Sequence, residues 1–340
     1  MTIVEKPSDH PSFSKKIGIL LVNLGTPDFP DPKSLRKYLK EFLSDQRVID
    51  IPKILWWFIL NLIILNTRPK KSAQAYSRIW IKDDPDGSPL KIITRKTIEK
   101  LSTFFHDDIC VLDYAMRYGN PSIKSKLDYL KNMNCSKILV FNLYPQYAAP
   151  TTATVNDEVC KWLIQQKWQP TIRFSSPYFD DNNYINAVTN SIKESFKKDG
   201  VPEILLMSFH GSPKRYLIEG DPYHCHCMKT ARLIKERLKL NEKNFLVTFQ
   251  SRFGSEPWLQ PYTDESLKSL GEKKIKHLSV ITPGFSTDNL ETLEEINIEG
   301  REIFKENGGG KFTFIPCLNE SKNGIKLLKD LLNKEISGWI

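Results

Sequence analysis

No apolar run in this 340-residue chain reaches the roughly 20 residues that a bilayer-crossing helix needs. Residues 1–16 are polar and proline-bearing, without the apolar core of a secretory leader, and read as a mobile arm. Cysteine is sparse: Cys110, Cys135, Cys160, Cys225, Cys227 and Cys317 are irregularly spaced, which argues against a disulfide framework and for a reducing cytoplasm. No GxGxxG follows a strand-like run, so a dinucleotide fold of the usual kind is disfavoured, and no GxSxG elbow is present. Gly308-Gly309-Gly310-Lys311 lacks the Ser or Thr of a phosphate loop and precedes a strand, so it reads as a turn. No nucleic-acid-binding motif occurs either. The net charge of +9 is spread along the chain, which directs attention to an anionic substrate or an acidic membrane surface rather than to nucleic acid.

What is there is an ordinary globular composition, 26% charged and 40% hydrophobic, long enough for two domains. Short β-rich runs alternate with helical patterns. Strands are expected at 17–23, 109–115, 137–143 and 171–175, then at 203–209, 245–250, 277–282 and 312–316. Near-continuous apolar strands between helices predict parallel sheets covered on both faces, an α/β class. Four strands followed by four more imply two similar sheet domains, without a residue-level repeat.

Ligands of such sheets bind beyond the strands' carboxyl ends. Polar and aromatic residues collect there: Asn23-Leu24-Gly25-Thr26-Pro27, Arg117-Tyr118-Gly119 and Tyr144-Pro145-Gln146-Tyr147 in the first half. His210-Gly211-Ser212-Pro213, Ser251-Arg252-Phe253-Gly254 and Pro283-Gly284-Phe285 follow in the second. His210 ends a buried strand, where histidine is often merely structural. The Gly and Pro after it turn the chain and leave the imidazole facing a cleft, able to accept a proton or bind a borderline metal.

A helix is expected from Asp288, with Asp288 as cap and Glu291 in a capping arrangement. Glu291, Glu295 and Glu299 stand i, i+4, i+8, drifting about 40° per step, so they form a carboxylate ladder opposite Leu290, Leu293 and Ile296. A solvated face accounts for the ladder; so does a track of oxygen ligands for a divalent cation. His224-Cys225-His226-Cys227 lacks the CxxC spacing of structural zinc and reads as a surface cluster at a helix start. The twelve-residue segment Ile54–Leu65 is either a buried helix or an exposed apolar lip. Its paired Trp56 and Trp57, flanked by Lys53, Arg68, Lys70 and Lys71, suit an interface.

From about residue 17 to about 325 these motifs together resemble ferrochelatases. Val22-Asn23-Leu24-Gly25-Thr26-Pro27, Gly87-Ser88-Pro89-Leu90, Met116-Arg117-Tyr118 and Leu143-Tyr144-Pro145-Gln146-Tyr147 carry the first half of the resemblance. Ser208-Phe209-His210-Gly211, Gly220-Asp221-Pro222-Tyr223, Gln250-Ser251-Arg252-Phe253-Gly254, Pro257-Trp258-Leu259 and Asp288-Asn289-Leu290-Glu291-Thr292-Leu293 carry the second.

The resemblance implies two Rossmann-like, chelatase-type domains, each a four-stranded parallel sheet flanked by helices, with a porphyrin cleft between them. They would span 17–176, with a lip at 54–71, and 177–321, followed by a C-terminal helix at 322–340 packing back on the first domain. It implies insertion of ferrous iron into protoporphyrin IX, the last step of haem synthesis, with His210 and Glu291 catalytic. His210, Glu291, Glu295 and Glu299 would be metal ligands. Leu24, Arg68, Ser88, Arg117, Tyr118, Tyr144, Trp258, Phe285, Asp288 and Asn289 would contact the porphyrin, with Ser88 and Arg68 meeting its propionates near the lip.

Iron is then substrate, and no organic cofactor is expected. Ala149 stands where cluster-bearing relatives have a cysteine, and no cysteine follows Cys317, so no [2Fe–2S] cluster is expected. Asn289 replaces a histidine, and Ser212 an aliphatic residue, common in the family. A cytoplasmic enzyme touching the inner membrane surface through 54–65 completes the expectation. The rivals are a chelatase for another metal or for coproporphyrin, and a non-catalytic porphyrin or haem carrier.

Overall fold

A computed structural model describes residues 16–106 and 108–340, so the arm expected at 1–16 lies outside the described residues except for Lys16. Eight strands form: β1 Ile17–Thr26, β2 Cys110–Gly119, β3 Lys137–Asn142, β4 Thr171–Phe174, β5 Ile204–His210, β6 Phe245–Gln250, β7 His277–Ile281 and β8 Lys311–Ile315. They pair in parallel as two four-stranded sheets, ordered β2-β1-β3-β4 and β6-β5-β7-β8. The eight expected strands are all present. Gly308–Gly310 is the turn before β8, with Gly308 at positive φ.

Alternation sets the layers. Ile17, Ile19 and Leu21 of β1 face one core, while Leu20 and Val22 face another. In the second sheet Leu205, Met207 and Phe209 join the same core as Ile19 and Phe141, with Leu206 turned away. One face of each sheet therefore drains into a single core. Tyr184, Ile185 and Val188 of the helix Asn182–Asp199 complete it, with Leu327, Leu328 and Leu331 of the helix Lys322–Ile336. That last helix is tied to the first sheet's side. Lys100 donates to the Glu320 carbonyl, Arg173 to the Glu335 carbonyl, and the Ser176 N–H to the Glu335 carboxylate.

The segment left open between core helix and lip proves exposed. It belongs to one helical run, Lys53–Phe58, a π-helical stretch Ile59–Ile64, and Leu65–Ile79. Ile54, Leu55, Trp57, Phe58, Leu62 and Ile63 are each 51–78% exposed; Trp56 turns inward, its indole N–H donating to the Leu43 carbonyl. Pro69 lies inside this run and has no N–H for the Leu65 carbonyl. Arg36 supplies the missing donor, bonding both that carbonyl and Asn66. Asn66 and Thr67 side chains donate to the carbonyls of Asn61, Leu62 and Ile63 in the π turn.

Arg36→Ala should therefore cost about 1 kcal/mol in denaturant unfolding and speed hydrogen exchange across the π turn. In a Pro69→Ala background the alanine N–H takes over the carbonyl, and the cost should shrink. An equal cost in both backgrounds would refute the assignment.

Candidate active site

Both sheets reverse strand order beside their first strand, between β1 and β3 and between β5 and β7, and crevices form at the carboxyl ends there. Leu24 near the end of β1, Tyr144 after β3, His210 at the end of β5, and Phe285 and Glu291 after β7 all line one cavity of about 310 Å3. Arg68 and Trp258 border it too. Leu39, Phe42, Val48, Ile49 and Trp56 make much of its wall apolar.

The His210 ring is held by its own chain. Nδ1 lies 2.7 Å from the Gly211 carbonyl oxygen, which can only accept, so Nδ1 carries the hydrogen. In the neutral ring the lone pair is then on Nε2. Glycine at 211 is required by close approach: a Cβ would sit 2.6 Å from the Gln250 carbonyl oxygen and 3.0 Å from the Trp258 ring. Tyr223 donates from its hydroxyl to the His210 carbonyl at 3.0 Å.

The acidic helix differs from expectation in two ways. Its cap is Asn289, whose side-chain oxygen accepts the Thr292 N–H at 3.1 Å while the Thr292 hydroxyl accepts the Asn289 N–H at 3.0 Å. Asp288 does not cap; its buried carboxylate accepts from the Thr292 hydroxyl, the Cys317 N–H and the Asn319 amide. A capping role for Glu291 is thus taken by Thr292, and Glu291 faces the cavity. Second, Glu291–Gly300 is π-helical. With more than four residues per turn, i+4 falls just short of a full turn instead of just beyond it. The ladder survives unevenly: Glu299 is exposed and Glu295 is held behind the cavity wall.

Glu295 accepts from the Gln250 side-chain amide at 3.1 Å and from the Ser251 hydroxyl. Burial raises its carboxyl above the ordinary range and the Glu291 charge adds to that; Ser251, the His210 imidazole and Gln250 pull it back. Burial also pushes the Tyr38, Tyr76 and Tyr144 phenols far up, the Glu291 charge adding to each, so all three stay protonated beside it. Glu294, absent from the expected ladder, is the carboxylate that packs inward, 2.9 Å from Arg78, which also holds Glu302.

Several expected contacts do not reach the cavity. Arg117 pairs with Asp45 at 2.6 Å and faces a separate polar groove of about 990 Å3. Tyr118 is fully buried with its hydroxyl on the same Asp45. Ser88 accepts from Thr26 at 2.8 Å beside a recess of about 10 Å3, one water in size, that it shares with Leu24, Asn289 and Glu291. Asp288 and Asn289 are spent on the helix start. The His224–Cys227 motif does open a helix, Tyr223–Leu238, but it is not a surface cluster: Cys227 is in the core and His226 is half-buried. Among the described residues no three His, Cys, Asp or Glu side chains form a metal cage.

Sequence reasoning missed two polar atoms in the cavity wall. The Trp258 indole N–H and the Gln146 side-chain oxygen are buried without a partner, and such groups cost free energy unless something fills the space before them. No local pattern announces an orphaned atom.

A family model described as ferrochelatase matches residues 16–336. The chain is 52% identical over 337 residues to a ferrochelatase of Allorhizobium ampelinum and 51% identical over 338 to one of Rhizobium etli, covering 98% of each chain in both cases. Among solved structures it is similar to SirB from Bacillus subtilis with Fe3+, at TM-score 0.58 and 12% identity, over 95% of this chain and 96% of that one. CbiX, the terminal enzyme of siroheme biosynthesis in denitrifying bacteria, matches at TM-score 0.51 and 9% identity, over 95% of this chain and 100% of that one. At such identities the last two speak for the fold alone.

The loop bearing Tyr144 and Gln146 hangs on His226, whose Nδ1 accepts the Tyr147 N–H at 3.2 Å while its ring stacks on Phe179 at 3.6 Å. Burial holds the His226 pKa below its usual 6.5. A lowered folded pKa makes the neutral ring's contribution complete above pH 6.5, lost as pH falls through the folded value. The His226 ring resonance in NMR should titrate with a midpoint below 6.5, followed by the Tyr147 amide. A midpoint at or above that value would exclude this anchoring.

Proposed function

The chain belongs to the ferrochelatase family and inserts ferrous iron into protoporphyrin IX, and from that premise we propose how its residues divide the work. One Fe2+ enters the macrocycle as two pyrrole N–H protons leave. His210 accepts a proton at Nε2; its Nδ1 is committed to Gly211, which keeps the ring oriented and the lone pair available. Glu291, across the same cavity, steers the incoming iron as an oxygen ligand and takes up the second proton. Leu24, Tyr144, Trp258 and Phe285 grip the macrocycle, and that remote contact sustains the bent ring that exposes its nitrogen lone pairs. Arg68, at the cavity edge, meets a propionate. Glu295 and the exposed Glu299 mark the iron's way in along the acidic helix. The observation that carries this reading is that His210 and Glu291 line one largely apolar cavity.

The exposed lip supports a finer placement: an enzyme of the cytoplasm resting on the inner membrane surface through Ile54, Leu55, Trp57, Phe58, Leu62 and Ile63, with Lys53, Lys70 and Lys71 toward anionic headgroups. No helix among the described residues is long and apolar enough to cross a membrane. Six free thiols accord with a reducing compartment.

Loss of protoporphyrin fluorescence on adding ferrous iron reads turnover. His210→Ala and Glu291→Gln should each abolish it while porphyrin still binds, detected by fluorescence quenching of the protein. Persistent turnover in either variant would sink the pairing. For the lip, Trp57→Ser/Leu62→Ser should lower co-sedimentation with anionic vesicles and leave turnover in detergent intact; unchanged sedimentation would end the membrane reading.

A further inference from the structure

Gln250 takes no part in the division of labour above, yet its polar atoms all bear on the reacting groups. It ends β6 as the register partner of His210, and it is 3% exposed. Its carbonyl accepts the Gly211 N–H at 2.6 Å, in the residue that also holds the His210 ring. Its side-chain Nε2 donates to the Glu291 carbonyl at 2.9 Å and to the Glu295 carboxylate at 3.1 Å. Its Oε1 accepts from the Ser208 hydroxyl at 2.7 Å.

The orientation of the amide follows from its partners. The Glu291 carbonyl and the Glu295 carboxylate oxygen can only accept, so Nε2 must face them, and Oε1 is left on the other side to accept from Ser208, which also lies 2.9 Å from the Thr263 hydroxyl. Next in sequence, Ser251 sits at φ +66°, a left-handed conformation uncommon outside glycine, and from there its hydroxyl reaches the same Glu295 oxygen, Oε2. With Oε2 doubly bonded, Oε1 of Glu295 is left without a hydrogen bond among the described residues.

We propose that Gln250 is a positioning residue for the metal side of the reaction: one side chain, bonded also by Ser208, that sets Glu291 and Glu295 at fixed places relative to His210. The inference rests on the reading of His210 and Glu291 as the reacting pair. Other polar bonds hold this helix as well, Arg78 on Glu294 and the Ser251 hydroxyl on Glu295 among them, but none of them also bonds the backbone of Glu291. Gln250 bonds the Glu291 carbonyl and the Glu295 carboxylate together, from the strand position that pairs with His210. The porphyrin walls, Leu24, Tyr144, Trp258 and Phe285, make no bond to it. Its loss should therefore impair the handling of iron and leave porphyrin binding alone.

Gln250→Glu keeps the shape but has no donor for either acceptor, and Gln250→Leu removes donor and acceptor together. Each should lower kcat/KM for iron by about 100-fold, the scale of a misplacement near 1 Å, with the protoporphyrin Kd unchanged. Ser208→Ala, which leaves the amide in place without a donor at Oε1, should shift the same parameter in the same direction by less. Hydrogen exchange should quicken at the amides of 291–296 and stay unchanged in β5. Wild-type kinetics for iron in folded Gln250→Glu, or an equal loss of porphyrin affinity, would overturn the proposal. If the Gln250 variants fail to fold, Ser208→Ala decides, and wild-type iron kinetics there would overturn it. Glu291→Gln run alongside separates the two readings: turnover retained in that variant strikes the reacting pair itself, whereas turnover lost there with Gln250→Glu unaffected strikes only Gln250.

Discussion

The approach of Gly211 to the Gln250 carbonyl is the constraint on which the rest of the site turns. β5 and β6 run in register to His210 and Gln250, and at that point the chain of β5 must leave the sheet without stranding a buried N–H. Bonding Gly211 back to Gln250 at 2.6 Å solves this, and only a residue without a Cβ fits between Gln250 and the Trp258 ring. Everything chemical follows from that turn. The Gly211 carbonyl is left pointing at Nδ1 of the preceding imidazole, which selects the tautomer, and Trp258 is seated against the cavity.

Charge is managed by burial and pairing around this turn. Glu291 faces an apolar cavity with phenols for neighbours, Glu295 is raised by burial and restrained by two donors, and Glu294 is neutralised across the interface by Arg78 of the lip helix. That ion pair is partly buried, so breaking it from one side would strand a charge. It joins the element that carries the exposed lip to the element that carries the acids. Leu290 reinforces the join, packing on the Leu35, Tyr38 and Tyr76 cluster of the first half. Lip and acidic helix are thus one mechanical unit although some 200 residues separate Arg78 from Glu294.

How far the sequence could be read depended on the range of the interactions. All eight strands, the parallel class, His210 at a strand end and Glu291 at the start of a helix follow from apolar runs, turn residues and cap residues, which are local signals. The helix start was misplaced by one residue because Asp and Asn both cap well, and the choice was made by Cys317 and Asn319, distant residues that claim Asp288. Arg117 and Tyr118 stood at a strand end and so looked like cavity wall; Asp45, far away in the chain, draws both to the other side. The π winding, the inward turn of Glu294 and the exposure of the lip all depend on what packs against each helix, and the i, i+4 pattern alone is compatible with either outcome. Cys227 shows the same limit: its motif marked a helix start correctly, but which face that helix buries is decided by the second sheet.

The two halves share a strand order and differ in chemical content, and the difference accounts for the site's asymmetry. Equivalent strand ends offer Leu24 and Tyr144 in the first half, but His210 and, beyond β7, Phe285 and Glu291 in the second. A flat, largely apolar substrate needs two walls, whereas proton and metal transfer need ionisable groups whose mutual geometry is fixed. Groups on separate halves would move with any change in the packing between the sheets. Mounting His210 and Glu291 on the same half, with Gln250 bonded toward both, removes that freedom. The shared core beneath both sheets and the Arg78–Glu294 pair beside the cavity hold the first half's apolar wall against this fixed pair.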